Sequence, residues 1–395
     1  MRRRDFLSAA ALAPTMVRAQ DFEEYRRQQQ AGLGEAGESF EAYKERVREA
    51  FDDYRRQHEA AFREFRDRVQ SVWQRPEFTD RHKWVEYRDG VSTQRVVDFQ
   101  GNEIRLKLPA DGGAGRARAE LTDLLLEDEQ TAFQRDPVSR QVEESVKDLP
   151  VGVERGRPGG KKILGGLFSQ ASPGRDDAER KAAELMEGAS EGREPVKDEQ
   201  GRDAWATTLT IPMPEGTALE QALDYRPRAR ELAAEWDIGE SLILAVAHTE
   251  SSFNPRARSH IPAYGLMQIV PESAGRDASA ELFGEPRVLA PSYLYEAGKN
   301  LRIGAIYLHI LYHRYLASVS DRESRLYCAI AAYNTGAGNV ARVFTGSTNV
   351  SAAAEAVEGR PPGEIYHALV EGLPHAETRE YLPRVVRRLK AYRNS

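Results

Sequence analysis

The stretch AVAHTESSFNP, Ala245 to Pro255, decides how the C-terminal half of this chain is read. The run Leu242 to Ala247 that leads into it is continuously apolar, and Pro255 disfavours helix a few positions later. The spacing therefore predicts a mostly buried helix with Glu250 in its last turn. Apolar surroundings disfavour a carboxylate anion, and so does the negative end of a helix dipole. Both push the Glu250 pKa upward, and a carboxyl that keeps its proton near neutral pH is suited to general acid work.

Two short motifs follow, GLMQ (Gly265 to Gln268) and AYN (Ala332 to Asn334). The pattern around them is helical from about Glu215 to the end, with Gly, Pro or polar breaks between segments near 226–236, 239–250, 271–281, 293–317, 321–334, 336–344, 362–371 and 376–393. That is an ordinary size for one helical core. Upstream, aromatic and aliphatic positions recur from Phe40 to Trp73 with gaps of 3, 4 and 4, His58 being the one polar member. An eleven-residue repeat matches a nearly straight amphipathic helix with a packing stripe. Beyond Pro76 the alternating runs Lys83–Tyr87, Gln94–Phe99 and Glu103–Leu108 are separated by Asp89-Gly90 and Gly101-Asn102, which predicts a small antiparallel meander. A leucine-rich helix is expected over Arg118–Phe133. Gly152 to Gly192 mixes Gly, Pro, Ser and charge, which reads as a flexible linker over about 150–200 with one short helix, Asp176–Met186. Trp205–Met213 (WATTLTIPM) reads as another strand, one that returns to the meander. The expected layout is residues 1–19 as a leader, 20–214 as an accessory domain and 215–395 as the helical domain, an α+β chain overall.

Composition narrows the function. Of 395 residues, 30% are charged and the net charge is −6, with no sustained basic face, so nucleic acid is not an expected partner. Cys328 is the sole cysteine and lies in the apolar run CAIAAY, which rules out an internal disulfide and a thiolate cluster. His248 and His260 invite a metal reading, but no HExxH spacing or carboxylate cluster accompanies them, and neither a metal nor another cofactor is expected. At the start, Arg3-Arg4-Asp5-Phe6-Leu7, an alanine-rich run and Val17-Arg18-Ala19 resemble a twin-arginine export signal with a cleavage site. The expectation is export to the periplasm, without a lipoprotein cysteine.

Three ordered blocks carry a resemblance to a known family. They are Glu250-Ser251-Ser252-Phe253-Asn254-Pro255, Ala263 through Pro271 around GLMQ, and Ala331 through Gly336 around AYN. They resemble the catalytic domains of soluble-type lytic murein transglycosylases over about residues 225–390, and Pro291, Asn300-Leu301, Gly304, Tyr307-Leu308 and Leu373–Val385 fit the same pattern. The long helix and meander are similar to the accessory region of the membrane-bound members of that family. The resemblance implies a lysozyme-like helical fold and peptidoglycan glycan strands as substrate. It also implies cleavage between N-acetylmuramic acid and N-acetylglucosamine with a 1,6-anhydromuramoyl product.

On that reading Glu250 is the sole catalytic acid and then base. Ser251 would steady the muramoyl unit, Gly265 would admit close backbone approach to the glycan, Met267 would line the cleft, and Gln268 and Asn334 would bind the saccharide. Tyr333 would hydrogen-bond Glu250 or an acetamido group. Two departures stand out: SHIPAY (Ser259–Tyr264) replaces a small glycine- and alanine-rich loop, and the lipidated cysteine of membrane-bound relatives is missing. A lysozyme-like hydrolase on the same scaffold and a catalytically silent glycan-binding or scaffold protein of the cell wall remain as alternatives, with cell-wall protein partners open.

Overall fold

The long stripe at the N-terminal end forms α1, Phe40–Gln70, in the computed structural model, which describes residues 40–110, 113–170, 172–198 and 200–394. The leader expected over residues 1–19 lies outside the described residues. Val47, Phe51, Tyr54, His58 and Val69 of the stripe are buried. The helix stops at Gln70, short of Trp73, because the indole is recruited elsewhere. Trp73 bridges to Val196, and its Nε1 donates to the Val91 carbonyl at 2.6 Å.

The meander follows as β1 (Lys83–Arg88), β2 (Thr93–Asp98) and β3 (Glu103–Pro109). Its first turn runs through Asp89, Gly90 and Val91, all with positive φ, and the second through Asn102 at φ 55°. Next come α2 (Gly113–Leu125), α3 (Glu129–Arg135) and α4 (Pro137–Ser145). The single helix expected over Arg118–Phe133 is broken by one aspartate cap, and a second aspartate opens the helix that follows. Asp128 accepts from the Thr131 amide at 2.8 Å, and Asp136 accepts from the Val138 and Ser139 amides at 3.1 and 3.2 Å.

The stretch expected as a linker carries the strands β4 (Val153–Glu154) and β5 (Ser190–Lys197), and the short helix expected over Asp176–Met186 forms as α5 (Arg175–Met186). Ala178, Ala182 and Leu185 of α5 join Leu121, Leu124, Val97, Ile104 and Leu106 in one core, which ties the stretch to the sheet. β6 (Asp203–Pro212) returns to the meander and sits between β3 and β5, giving an antiparallel sheet in the order β1-β2-β3-β6-β5.

The remainder is helical: α6 (Thr217–Trp236), α7 (Glu240–Ser251), α8 (Arg276–Phe283), the short β7 (Val288–Leu289), α9 (Pro291–Leu294), α10 (Ala297–His309), α11 (Arg322–Thr335), α12 (Ala337–Thr345), α13 (Val350–Val357), α14 (Pro362–Gly372) and α15 (Ala376–Arg393). Only α13 was absent from the segments read in the sequence; its alanines bury one small face and give little periodic contrast. α7 is the central rod. Leu242 through Ala247 are all buried, and α6, α10 and α15 pack around it. The chain is α+β, as its sequence implies.

The sheet-bearing part and the helical part are joined by a parallel pairing of β4 with β7, Val153 opposite Val288 and Glu154 opposite Leu289. From Val47 onward the chain forms one compact unit.

Candidate active site

α7 ends in two left-handed residues, Ser252 (φ 52°) and Phe253 (φ 61°), rather than at Pro255. The Ser252 amide closes the helix on the His248 carbonyl at 3.0 Å. Phe253 is then driven into the core, stacked on Tyr225 with ring centroids 6.0 Å apart. This abrupt reversal leaves Glu250 one residue from the helix end, 4% exposed.

Burial raises the Glu250 pKa to about 7, against opposing pulls from the Tyr381 hydroxyl and the Arg81 and Arg384 charges, while Glu377 adds to the rise. Arg81 Nη1 lies 3.9 Å from Glu250 Oε2, and the other terminal nitrogen of Arg81 is paired with Glu377. The Tyr381 hydroxyl stands beside the carboxyl without a hydrogen bond of ordinary geometry. The Tyr333 phenol is near enough for the Glu250 charge to raise its pKa further, on top of burial.

GLMQ is the tip of a tight hairpin. Tyr264 and Ile269 exchange backbone hydrogen bonds of 3.1 and 3.0 Å, enclosing Gly265 to Gln268. Gly265 has φ 71°, and a Cβ there would lie 2.5 Å from Asn300 Nδ2 and 2.7 Å from the Leu294 carbonyl oxygen. Only glycine fits. Gln268 also takes a left-handed conformation, φ 47°, and its Nε2 donates to the Gly265 carbonyl at 3.1 Å. Its Oε1 is buried and has no hydrogen-bond partner among the described residues.

The three sequence motifs meet on the backbone of this turn. Ser251 Oγ donates to the Leu266 carbonyl at 2.8 Å, and the Tyr333 hydroxyl donates to the Met267 carbonyl at 2.8 Å. The expected roles change accordingly. Ser251 is fully buried and ties α7 to the turn rather than facing a sugar. Met267 was expected to line the cleft, yet its side chain is fully buried, so close to Gly304 that a Cβ there would lie 2.2 Å from its sulfur. Tyr333, half-buried, is committed to a carbonyl and not to Glu250. Asn334 sits half-buried near the end of α11. His248 Nδ1 is 2.8 Å from the Tyr392 hydroxyl, and His260 is exposed on the SHIPAY loop.

Several contributors carry no assigned role in the sequence reading, although Asn300 fits the family pattern. Asn300 is fully buried. Its Nδ2 donates to the Tyr264 and Leu294 carbonyls at 2.7 and 2.9 Å, and its Oδ1 accepts the Met267 amide at 2.8 Å. Asn300→Ala strips the Leu294 carbonyl and the Met267 amide of this buried partner and leaves the Tyr264 carbonyl with only its bond from the Ile269 amide. The expected loss is about 3 kcal/mol or more of stability, read as a lower denaturant midpoint, together with lost turnover. Tyr381 and Glu377 lie in the Leu373–Val385 segment that fitted the family pattern, but nothing in its spacing marked them. Arg81 comes from a polar stretch ahead of β1 that carries no motif.

The wall behind the turn is set by the sheet-bearing part. Tyr264 receives His58 of α1 edge-on at 6.1 Å and Tyr295 at 5.4 Å. Arg258 donates to Asp136 at 2.9 and 3.1 Å and to Ser139 Oγ at 3.1 Å, while Arg256 reaches Asp136 at 3.3 Å and lies 3.7 Å above the Tyr295 ring. Burial opposes ionisation of Asp136, but Arg258 and Arg256 outweigh it and hold the carboxyl at about 2. A cavity of about 860 Å³, lined by residues including Arg140, Glu143 and Arg157, does not include Glu250.

A family profile described as Transglycosylase SLT domain matches residues 228–355. The membrane-bound lytic murein transglycosylase C of Klebsiella pneumoniae subsp. pneumoniae is 31% identical over 333 residues, 84% of this chain and 88% of that protein. The chain belongs to the lytic murein transglycosylase family. The protein of the same name from Yersinia enterocolitica is 31% identical over 336 residues, again 84% and 88% of the two chains. Among solved structures, the 70 kDa soluble lytic transglycosylase of Escherichia coli matches with 17% identity and a TM-score of 0.33, covering 71% of this chain and 43% of that one.

This lytic murein transglycosylase departs from one expectation. Its relatives are named as membrane-bound, which overturns the reading of a periplasmic protein exported by a twin-arginine-type signal with no lipoprotein cysteine. An arginine-rich start followed by a modest apolar run is shared by several export routes, so its composition does not separate an anchored protein from a released one. No helix among the described residues is long and apolar enough to cross a membrane.

Proposed function

We propose that this enzyme cleaves the β-1,4 bond between N-acetylmuramic acid and N-acetylglucosamine in peptidoglycan strands, leaving a 1,6-anhydromuramoyl end. Glu250 gives its proton to the glycosidic oxygen as the bond to C1 breaks. The muramoyl C6 hydroxyl attacks C1, and its proton passes to the Glu250 carboxylate, restoring the acid. No water is consumed.

The observation that carries this reading is a single carboxyl, 4% exposed with a pKa of about 7, at the point where three motifs converge. One group can act as acid and then as base only if both protonation states are accessible near neutral pH. Ordinary glycosidases use two carboxyl groups because water or an enzyme nucleophile must be activated separately. Glu377 is held as the counter-ion of Arg81, with its pKa lowered mainly by that hydrogen bond. It suits an electrostatic neighbour better than a proton-shuttling base. The amides of Gln268 and Asn334, which carry both donors and acceptors, are the groups assigned to bind hydroxyl or acetamido groups of the sugar.

The test is mass analysis of products from purified sacculi. A non-hydrolytic cut gives muropeptides one water lighter and without a reducing end. Reducing-end products of full mass establish a hydrolase instead.

A further inference from the structure

Glu250 is reached by a charge from outside the helical part of the chain. The segment Asp80-Arg81-His82 runs between α1 and the sheet and is fixed at both sides. Asp80 Oδ1 accepts from the His82 and Lys83 amides at 2.8 and 2.7 Å, and the Phe99 amide donates to the His82 carbonyl at 2.9 Å, which anchors the segment to the sheet. On the other side, the Arg258 amide donates to the Asp80 carbonyl at 3.2 Å, and Ser252 Oγ lies 3.3 Å from His82 Nδ1. Asn254 Nδ2 reaches the Arg81 carbonyl at 3.5 Å. The backbone is thus stapled to the loop that reverses the chain after Glu250.

The side chain that this strap delivers is one-third exposed, with one terminal nitrogen 3.9 Å from the Glu250 carboxyl and the other on Glu377 of α15. A guanidinium bridging a buried acid and a half-exposed carboxylate is an arrangement in which the outer carboxylate governs how much positive charge the inner one feels. We propose that Arg81 is a positioning residue that, together with Glu377, sets the proton affinity of Glu250, so that the sheet-bearing part of the chain completes the acid. The proposal rests on Glu250 being that acid.

The groups facing this pair are few. Tyr381 and Arg384 of α15 and Tyr333 of α11 border Glu250, and His82, Tyr381 and Glu250 border Arg81. Arg384 and His260 border Glu377. Arg388 lies further along α15, where it acts on His82 and His248. The signs for Glu250 are opposite for the two partners. Arg81 favours the Glu250 anion and Glu377 disfavours it. Removing Arg81 should raise the pKa, and removing the Glu377 charge should lower it, since Arg81 then acts undivided.

The experiment compares full-length Arg81→Gln, Arg81→Lys and Glu377→Gln with the parent. Two readouts are used: the pH profile of kcat and KM on sacculi, and titration of the Glu250 carboxyl by NMR in 13C-labelled protein. The expected result for Arg81→Gln is an alkaline limb and a titration midpoint about half a unit to one unit higher, with KM unchanged. Glu377→Gln moves both downward, and Arg81→Lys, which keeps the charge, stays with the parent. The proposal is overturned if Arg81→Gln leaves the midpoint in place, if the two neutral variants move it in the same direction, or if Arg81→Gln alters only KM. The NMR midpoint separates the two layers of argument: inactivity of Glu250→Gln tests the acid itself, whereas the midpoint reports Arg81 whether or not Glu250 does the chemistry.

Discussion

Glu250→Gln is expected to lower turnover on sacculi by at least about a thousandfold, because general acid and general base steps are each worth roughly 10²–10⁴ and one group performs both. The amide keeps the shape and burial of the side chain, so the loss is not one of folding. Stability gives an independent check. In the folded parent Glu250 holds its proton up to about pH 7, whereas an unfolded glutamate loses it near 4.5. Across that window the native state binds more protons, so this residue lowers parental stability as pH rises. The glutamine variant escapes that decline. Its thermal midpoint should match the parent at pH 4.5 and exceed it at pH 8. Parental activity should fall about tenfold per pH unit above roughly 7, as the protonated fraction does. A variant that still releases soluble product at the parent's rate removes Glu250 from the mechanism.

Asp136→Ala is the largest stability change expected. Arg256 and Arg258 are 2% and 4% exposed, and the Asp136 carboxylate supplies the anion that both meet. Deleting one partner of a buried ion pair typically costs 3–5 kcal/mol, because the remaining charge stays desolvated; a loss of about 4 kcal/mol is expected, measured as urea unfolding at pH 7. The pH dependence has a definite sign. The folded pKa of about 2 lies below the ordinary 3.8, so the contribution of Asp136 is complete above pH 4 and disappears as pH falls toward 2. The parent should lose stability through that interval, and the alanine variant should lose less there. Equal acid sensitivity in both proteins would show that Asp136 does not hold the pair.

Much of the fold was legible because its signals are local. The 3-4-4 stripe of α1, the Asp89-Gly90 and Gly101-Asn102 turns, and the apolar run before Glu250 each depend on residues within a few positions of one another. The helix break at Asp128 was missed because a leucine-rich pattern outweighed a capping aspartate. The edge strand β5 was hidden under glycine and charge, and only its partner β6 gives it a reason to extend. At the site, motif residues were found but several of their jobs were not. Ser251 and Met267 read as sugar contacts because they flank the motifs, whereas their burial follows from packing against Leu266 and Gly304, which sequence spacing does not reveal. Arg81 was invisible for a deeper reason: it lies 169 positions before Glu250 and gains meaning only through the strap that carries it there.

The two buried guanidinium groups at the seam bear on how such chains can be recombined in evolution. A helical half transplanted to a different carrier would keep its proton donor and its turn, yet would arrive with Arg256 and Arg258 stripped of their anion and Tyr264 stripped of its backing from α1. Heredity of this enzyme is therefore expected to run through the joined pair, and drift on one flank of the seam should be answered by change on the other.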